Sequence, residues 1–279
     1  MNSPRQGTLK ERISFSGVGI HTGQSATVTI CPAEENSGRR FLSAGHEIPA
    51  TVDNVVNCDR CTVLGKGQIR VHTPEHLLAA LAGSGVDNAL IEMDGPEVPI
   101  LDGASLEFCL GIQKAGVEVQ SAPARVLKPR RPHSASRENG ALVLLLPADS
   151  TLYEYSLFYD HPMIGYQHVE FRPSDDFTKE LAPARTFALW EEVKPLLERG
   201  LAQGGHADNC LVVFQDRFST PLKVECEPVR HKCLDLIGDF ALLNARIEAR
   251  ILGVKAGHAL HVECARKVWE DMLVVNERS

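Results

Sequence analysis

One arrangement of helix, glycine and strand occurs twice in this chain, once in each half. His76 is followed seven residues later by Gly83, and His231 is followed seven residues later by Gly238. After each glycine a short polar connection precedes a strand-like segment that contains Ile-Glu, and a long helical segment follows. This weak repeat predicts an α+β fold of two similar domains, each a β-sheet layered with α-helices. Ligand sites commonly lie between such units, so we expect the functional site at the domain interface.

The boundary between the two domains is expected where the composition changes. Residues 121–140 are rich in Pro, Arg and Ser, as domain linkers often are. We therefore expect a first domain over residues 1–122 and a second over residues 123–279.

Alternating apolar residues predict strands along both halves, and apolar residues at helical spacing predict helices. The predicted strands are RISFSGVGIHTG, SATVTICPA, CTVLG, QIRVH, NALIEM, ALVLLLP, LYEYSLFYD, QHVEFRP, CLVVF and RIEARILGV. The predicted helices are residues 73 to about 82, ASLEFCLGIQKAG, WEEVKPLLERG, RHKCLDLIGDFALLNA and HALHVECARKVWEDMLVV. We expect ALVLLLP and LYEYSLFYD to pair with each other. Pro195 should disturb the helix that contains it.

Charge and hydropathy exclude several classes of protein. The formal net charge is −7, which argues against nucleic acid as a partner. The longest apolar run, ALVLLLPA, is far too short to span a membrane, and the first residues lack the apolar core of a secretory signal. We therefore expect a cytoplasmic location. A small anionic substrate is compatible with the net charge, and we expect a monomer. The eight cysteines are scattered, so they do not form a disulfide framework.

The segment RHKCLDLIGD carries the strongest local signal for metal binding. His231 and Asp235 are four residues apart, so on a helix their side chains lie one turn apart on the same face. His76 occupies the corresponding place in the other half, and the three together would form a catalytic zinc site with an open position. Glu75 precedes His76 and could accept a proton from a zinc-activated water. The alternatives are a solvated helix face and a Glu75 that only complements the helix dipole, which would keep it ionised.

Three further segments could contribute to such a site. His258 begins the last helix and could protonate a leaving group, with Asp239 accepting the other ring N–H. Thr186 and Phe187 end the segment ARTF and could contact a carbonyl and a sugar face. The turn GGHADN would let the backbone approach a ligand closely. The remaining histidines are interpreted as structural or surface residues: His21, His133, His161, His168, His206 and His261.

Taken in order, the motifs of this chain resemble those of one enzyme family. SGVGIHTG, CTVLG, TPEHLLAAL, DNALIEMDGPEVPILDG, ARTF, GLAQGG, RHKCLDLIGD and GHAL are similar to the zinc-dependent UDP-3-O-acyl-N-acetylglucosamine deacetylases. The resemblance spans about residues 8–270. It implies hydrolysis of the N-acetyl group of an acylated UDP-sugar, with release of acetate, in the committed step of lipid A synthesis.

The resemblance also implies residue roles. The ligands of one Zn²⁺, or of Fe²⁺ in its place, would be His76, His231 and Asp235. Glu75 would be the general base, and His258 the general acid oriented by Asp239.

Further roles concern the substrate. Thr186 would hold the tetrahedral intermediate, Phe187 would pack against the sugar, and Lys232 would face the diphosphate. Small inserts are implied at about residues 42–70 and 188–215. The second would line a passage for the acyl chain, with walls at Leu189, Leu197 and Leu201.

The chain departs from the family pattern at a few positions. His206 stands where the family more often has serine, His261 stands where it commonly has asparagine, and Cys58 is an additional cysteine. The implied chemistry is unaffected, whereas the preferred acyl chain stays open.

Three other functions stay open at this point. One is a metal amidohydrolase of the same fold with another acylated substrate. Another is a protein that binds a metal or ligand without catalysis, although an intact Glu75 argues against it. The third is a thiol redox protein built on Cys58 and Cys61.

Overall fold

The computed structural model describes residues 4–198 and 203–277, and it shows a mixed α/β fold with several sheets and few helices. The strands up to residue 123 are β1 (Arg5–Leu9), β2 (Ile13–Val18), β3 (Ser25–Pro32), β4 (Arg39–Ser43), β5 (His46–Pro49), β6 (Val55–Asn57), β7 (Val63–Lys66), β8 (Ile69–His72), β9 (Ala89–Met93) and β10 (Val117–Pro123). The helices of this part are α1 (Glu75–Gly83) and α2 (Leu106–Ala115).

The later part of the chain repeats this mixture of short strands and helices. Its strands are β11 (Val126–Leu127), β12 (His133–Ser136), β13 (Leu142–Pro147), β14 (Leu152–Phe158), β15 (Tyr166–Phe171), β16 (Phe187–Leu189), β17 (Leu211–Val213), β18 (Arg246–Ile247) and β19 (Ala249–Val254). Its helices are α3 (Phe177–Glu180), α4 (Trp190–Glu198), α5 (Glu227–Phe240) and α6 (His258–Glu277).

Two five-stranded sheets share one topology. Their strand orders are β2-β3-β9-β4-β5 and β12-β13-β19-β14-β15. In each sheet the central strand, β9 or β19, runs antiparallel to the strand on one side and parallel to the strand on the other. The weak sequence repeat therefore corresponds to a repeated strand arrangement.

The expected pairing of ALVLLLP with LYEYSLFYD is wrong. Strands β13 and β14 are consecutive in the chain, but β19 lies between them and pairs with both. Proximity in sequence favours a hairpin, whereas here a strand from much later in the chain lies between the two and pairs with both.

The expected match of the two Ile-Glu segments is also shifted. Ile247 ends β18 and Glu248 precedes β19, the strand that corresponds to β9.

Helices α1 and α5 pack closely against each other. A Cβ atom at Gly238 of α5 would lie 2.2 Å from the carbonyl oxygen of Glu75, and a Cβ atom at Gly83 would lie 2.4 Å from the ring of Phe177. Glycine is therefore required at position 238 for the contact of α1 with α5, and at position 83 for the contact of α1 with Phe177 of α3. The first seven residues of α1 are all buried, the charged and the apolar ones alike. Helix α1 thus has no solvent face in its first two turns.

The start of α1 differs from the expected one. The helix begins at Glu75, two residues after Thr73, and Thr73 has a positive φ of 56°. Its hydroxyl donates to Glu97 Oε1 at 2.9 Å instead of capping the helix.

Pro195 lies inside α4, which continues to Glu198. The expected interruption at this proline does not occur.

Two small sheets lie within the segments expected to be inserts. Residues 55–72 form the antiparallel sheet β6-β7-β8, and α4 connects the parallel pair of β16 and β17. Leu189 ends β16 and is half-buried. The side chain of Leu197 and the whole of Leu201 lie outside the described residues, so their expected place beside an acyl chain is untested.

None of the helices described in residues 4–198 and 203–277 has the length and apolar character that crossing a membrane requires.

Substitution of Gly238 by alanine tests the packing of α1 against α5. Alanine favours a helix interior by about 1 kcal/mol over glycine, but here its methyl group would collide with the Glu75 carbonyl. We expect Gly238→Ala to lower the free energy of unfolding by about 1–3 kcal/mol in urea denaturation. Gly257→Ala is the matched control, because a Cβ atom there meets nothing within 4 Å. Equal stability of the two variants would contradict the tight packing.

Candidate metal centre

The first turn of α1 and the middle of α5 bring three candidate ligands together. The Nε2 atoms of His76 and His231 lie 3.5 and 3.4 Å from Asp235 Oδ1. The two imidazole rings meet edge to face, with centroids 5.0 Å apart. One ligand atom from each residue lies within 4.8 Å of the others, and all three residues are buried. This separation is compatible with one metal ion held by two nitrogens and one oxygen.

Contacts outside the cluster fix the orientation of its members. His231 Nδ1 lies 3.0 Å from the carbonyl oxygen of Ala184, which leaves Nε2 directed at Asp235. The Ser105 hydroxyl donates to the backbone carbonyl of His76 at 2.7 Å. Asp235 Oδ1 is buried and has no hydrogen-bond partner among the described residues. A buried carboxylate oxygen without a donor is costly, and a metal ion at this point would satisfy it.

The protonation states of the cluster also suit a metal. Burial lowers the pKa of His231 to about 3, against the opposing effect of Asp235. Burial alone would raise the pKa of Asp235, but His231 and Lys232 lower it well below its usual range. At neutral pH the imidazole is therefore neutral and the carboxylate ionised, as metal ligands must be.

Glu75 and His258 face each other beside this cluster. His258 Nε2 lies 3.6 Å from Glu75 Oε1 and 3.9 Å from Asp235 Oδ2. The backbone N–H of Thr62 donates to Glu75 Oε2 at 3.3 Å. Burial raises the pKa of Glu75 to about 7, whereas His258 opposes the rise. The helix dipole was expected to keep this carboxylate ionised, but burial has the larger effect on its pKa.

Asp239 accepts hydrogen bonds from three side chains. Thr62 Oγ1 donates to Oδ1 at 2.6 Å, and the Nδ1 atoms of His258 and His261 both lie 2.8 Å from Oδ2. Burial opposes ionisation of Asp239, but His258 and the hydrogen bonds lower its pKa to about 2. Because the acceptor is a carboxylate, both imidazoles must present Nδ1–H to it.

The same contact determines the charge of His258. Burial favours its neutral form, but the negative charges of Asp239 and Glu75 raise its pKa to about 10. His258 is therefore an imidazolium at neutral pH, with its Nε2–H on the side of Glu75. The pair consists of a carboxyl group that ionises near neutrality and a protonated histidine.

His261 was interpreted from the sequence as structural or surface, and its contact with Asp239 was missed. It is completely buried, and its ring meets Tyr155 edge to face with centroids 6.1 Å apart. Its position three residues after His258 on α6 is the signal that could have found it, since residues three apart share a helix face.

Of the three residues expected to contact substrate, Phe187 and Lys232 adjoin the cluster. Phe187 meets His231 edge to face, with centroids 6.4 Å apart, and the Lys232 ammonium lies 5.8 Å from the Phe187 ring centroid. Lys232 Nζ also donates to Asp235 Oδ2 at 2.9 Å. Thr186 is anchored through its backbone N–H, which donates to the Gly103 carbonyl at 2.7 Å. The expected contacts of these residues with substrate are untested.

The surroundings of the cysteines do not favour a redox site. All eight are free thiols, and burial raises the pKa of Cys58 and of Cys61 to about 12. A thiol with this pKa is almost entirely protonated at neutral pH, so it is a poor nucleophile.

The GGHADN turn is stabilised by a hydrogen bond within the turn, since the His206 N–H donates to Asn209 Oδ1 at 2.7 Å.

Comparison with known proteins identifies the family of this chain. A family model described as UDP-3-O-acyl N-acetylglycosamine deacetylase matches residues 6–270. The chain belongs to this deacetylase family. A UDP-3-O-acyl-N-acetylglucosamine deacetylase from Nostoc sp. is 41% identical over 278 residues, which cover 95% of this chain and 98% of the relative. The deacetylase of the same name from Chlamydia felis is 40% identical over 274 residues, which cover 96% of this chain and 98% of the relative.

Membership of the deacetylase family rests on nearly the whole chain. The matched range includes every residue of the cluster described above, from Glu75 on α1 to His258 on α6.

Substitution of Asp239 by asparagine tests the origin of the charge on His258. Removal of the carboxylate should lower the His258 pKa by about 1–3 units from its value near 10. The measurement is an NMR titration of the imidazole signals in the metal-depleted protein. Asp271→Asn is the control, because Asp271 lies beside His133 and has no described contact with His258. An unchanged His258 titration in Asp239→Asn would contradict the assigned contact.

Proposed function

We propose that this chain is a metal-dependent deacetylase that hydrolyses the N-acetyl group of UDP-3-O-acyl-N-acetylglucosamine and releases acetate. The observation that carries the proposal is the position of Glu75 and His258 beside the cluster of His76, His231 and Asp235. Family membership over residues 6–270 supports the substrate, because the similar proteins carry the name of this activity. On this proposal the chain acts in lipid A biosynthesis.

The metal would be held by His76, His231 and Asp235. Two imidazole nitrogens and one carboxylate oxygen favour Zn²⁺, and Fe²⁺ accepts the same ligands. The unpartnered Asp235 oxygen supports this ligand set. When bound, such a metal supplies a Lewis acid that polarises the acetyl carbonyl and acidifies a water.

The chain's own groups would move two protons. Glu75 takes a proton from the attacking water, which its pKa near 7 permits at neutral pH. His258 donates its Nε2 proton to the departing amine, and Asp239 keeps the imidazole oriented and charged through Nδ1. The Thr186 hydroxyl stabilises the oxyanion as the carbonyl becomes tetrahedral.

The remaining proposed contacts set the substrate's orientation. Phe187 packs against the sugar ring. Lys232 lies within hydrogen-bond reach of Asp235 and would turn towards the diphosphate when substrate binds. The half-buried Leu189 contributes to the wall of the acyl passage. A small-molecule substrate, a monomeric chain and a cytoplasmic location complete the proposal.

The site would lie between two similar α+β domains, residues 1–122 and 123–279. The shared topology of the two five-stranded sheets supports this division, and so does the contact of α1 from the first with α5 from the second. The inserts would be residues 42–70 and 188–215. The site residues then come from both domains, with Glu75 and His76 from the first and the rest from the second.

Acetate release tests the function directly. Purified protein with UDP-3-O-acyl-N-acetylglucosamine should release acetate, lose activity in a chelator and regain it on addition of Zn²⁺. His76→Ala should abolish this recovery, whereas Cys61→Ser should retain it because the thiol is not used. Acetate release that survives complete removal of metal would overturn the metal dependence. Equal turnover of N-acetylglucosamine without the nucleotide would overturn the substrate.

The pH profile tests the two proton-transfer roles. Glu75 acts ionised, so the rate should fall as the pH drops below its pKa, and a bound cation moves this limb below the metal-free value of about 7. His258 acts protonated, so the rate should fall as the pH rises through its pKa, which is about 10 without metal. The expected profile of kcat/KM is a bell.

Substitutions assign the two limbs of this profile. Glu75→Gln and His258→Gln should each reduce kcat by about 10²–10⁴-fold, and each should remove its own limb from the residual profile. Retention of both limbs in both variants would contradict the assignment.

A further inference from the structure

Arg39 on β4 is a buried arginine without an acidic partner. Its side chain is almost completely buried, with 5% of the residue exposed. Nε donates to the Val86 carbonyl at 2.8 Å and Nη1 to the Ala241 carbonyl at 3.3 Å. Within residues 4–198 and 203–277, Arg39 forms no ion pair and its Nη2 has no hydrogen-bond partner. The charge of Asp87 opposes the lowering of the Arg39 pKa by burial, but Asp87 forms its ion pair with Arg246. A buried guanidinium without an ion-pair contact is unfavourable, so Arg39 is poised to accept an anion.

The arginine lines a cavity of about 310 Å³ at the far end of the helix pair from the metal cluster. Ala82 and Gly83 at the end of α1 and Phe240 at the end of α5 contribute to its walls, whereas His76 and His231 lie towards the other ends. Most of the wall is hydrocarbon or aromatic. The apolar side chains that line it include Val126, Phe171, Phe177, Ile237, Phe240 and Ile247.

A second donor lies on the same wall. Tyr153 lines the cavity, and its hydroxyl makes no hydrogen bond to another of the described residues. Arg39 and Tyr153 both line this cavity. Burial raises the pKa of the Tyr153 phenol, and the charge of Arg39 opposes the rise. Tyr153 therefore stays protonated and can donate beside the guanidinium.

The other charges on the wall are already paired. Arg246 Nη2 lies 2.9 Å from Asp87 Oδ2, and Glu248 Oε2 lies 2.5 Å from Lys128 Nζ. Among the charged residues described on the wall, Arg39 is the one without an ion-pair partner. The cavity thus combines one unpaired cation, one free hydroxyl and an apolar lining.

We propose that this cavity is a second ligand site, separate from the metal centre, that binds an aliphatic monocarboxylate. One carboxylate oxygen accepts from Arg39 Nη2 and the other from the Tyr153 hydroxyl, and both hydrogen bonds are strengthened by charge. The hydrocarbon chain lies against the aromatic and aliphatic walls and gains about 25 cal/mol for each Å² it buries. The volume lies at the lower end of the range for small-molecule pockets, which suits a short chain.

Calorimetric titration of the metal-loaded full chain with octanoate tests this site. Octanoate should bind the wild-type protein, and acetate and 1-octanol should bind at least tenfold more weakly, because one lacks the chain and the other the charge. Tyr153→Phe, which keeps the ring and removes the free hydroxyl, should weaken octanoate binding about fivefold. Arg39→Met should abolish it.

Arg40→Met is the matched control. Arg40 follows Arg39 on β4, pairs with Glu47 and does not line the cavity, so the same loss of charge there should leave octanoate binding unchanged. Arg39 also donates hydrogen bonds to two backbone carbonyls, so Arg39→Met could fail to fold. In that case Tyr153→Phe and the comparison of octanoate with 1-octanol test the proposal. Absence of octanoate binding to the wild type, equal binding of 1-octanol, or unchanged affinity in Tyr153→Phe would each overturn the proposal. Acetate release from the sugar nucleotide is not part of this readout, so the two proposals fail separately.

Discussion

The contact of α1 with α5 is the constraint on which the candidate site depends. Gly238 lets the backbone of α5 approach the carbonyl of Glu75, the first residue of α1. His76 then lies opposite His231 and Asp235, at distances that one metal ion can bridge. A larger residue at 238 would separate the helices and move one ligand away from the other two. Gly238 is therefore a condition of the chemistry as well as of the packing.

Burial at this contact sets the charges of the site. The same lack of solvent raises the pKa of Glu75 and lowers that of His231, since both charged forms lose hydration. Burial does not make His258 neutral, because the nearby negative charges of Asp239 and Glu75 raise its pKa. Three groups with similar burial thus take different protonation states, and the difference comes from which neighbours each one meets.

The clustering of the three candidate metal ligands could be predicted from the sequence because their spacing is helical. His231 and Asp235 are four residues apart, and the weak repeat indicated His76 as the third member. Glu75 followed from its position next to His76. The conformation of Thr73 could not be predicted in this way, because its positive φ comes with a hydrogen bond to Glu97, a residue from another part of the chain.

Long-range contacts explain the rest of what the sequence did not reveal. The order of the second sheet depends on β19, which pairs with two strands made about a hundred residues earlier. The contact of His261 with Asp239 joins two helices, and the lone guanidinium of Arg39 is seen only when every neighbouring carboxylate is located. Periodicity describes a single element, whereas each of these features involves at least two.

The inserted central strand has a consequence for synthesis of the protein. Strands β13 and β14 leave the ribosome well before β19, so each of them has an unpaired edge during that interval. The same interval occurs earlier for β3 and β4, but it ends sooner because β9 follows them more closely. Of the two five-stranded sheets, the second is therefore exposed for longer to aggregation or to chaperone binding during synthesis. It is completed only a few residues before His258 itself emerges.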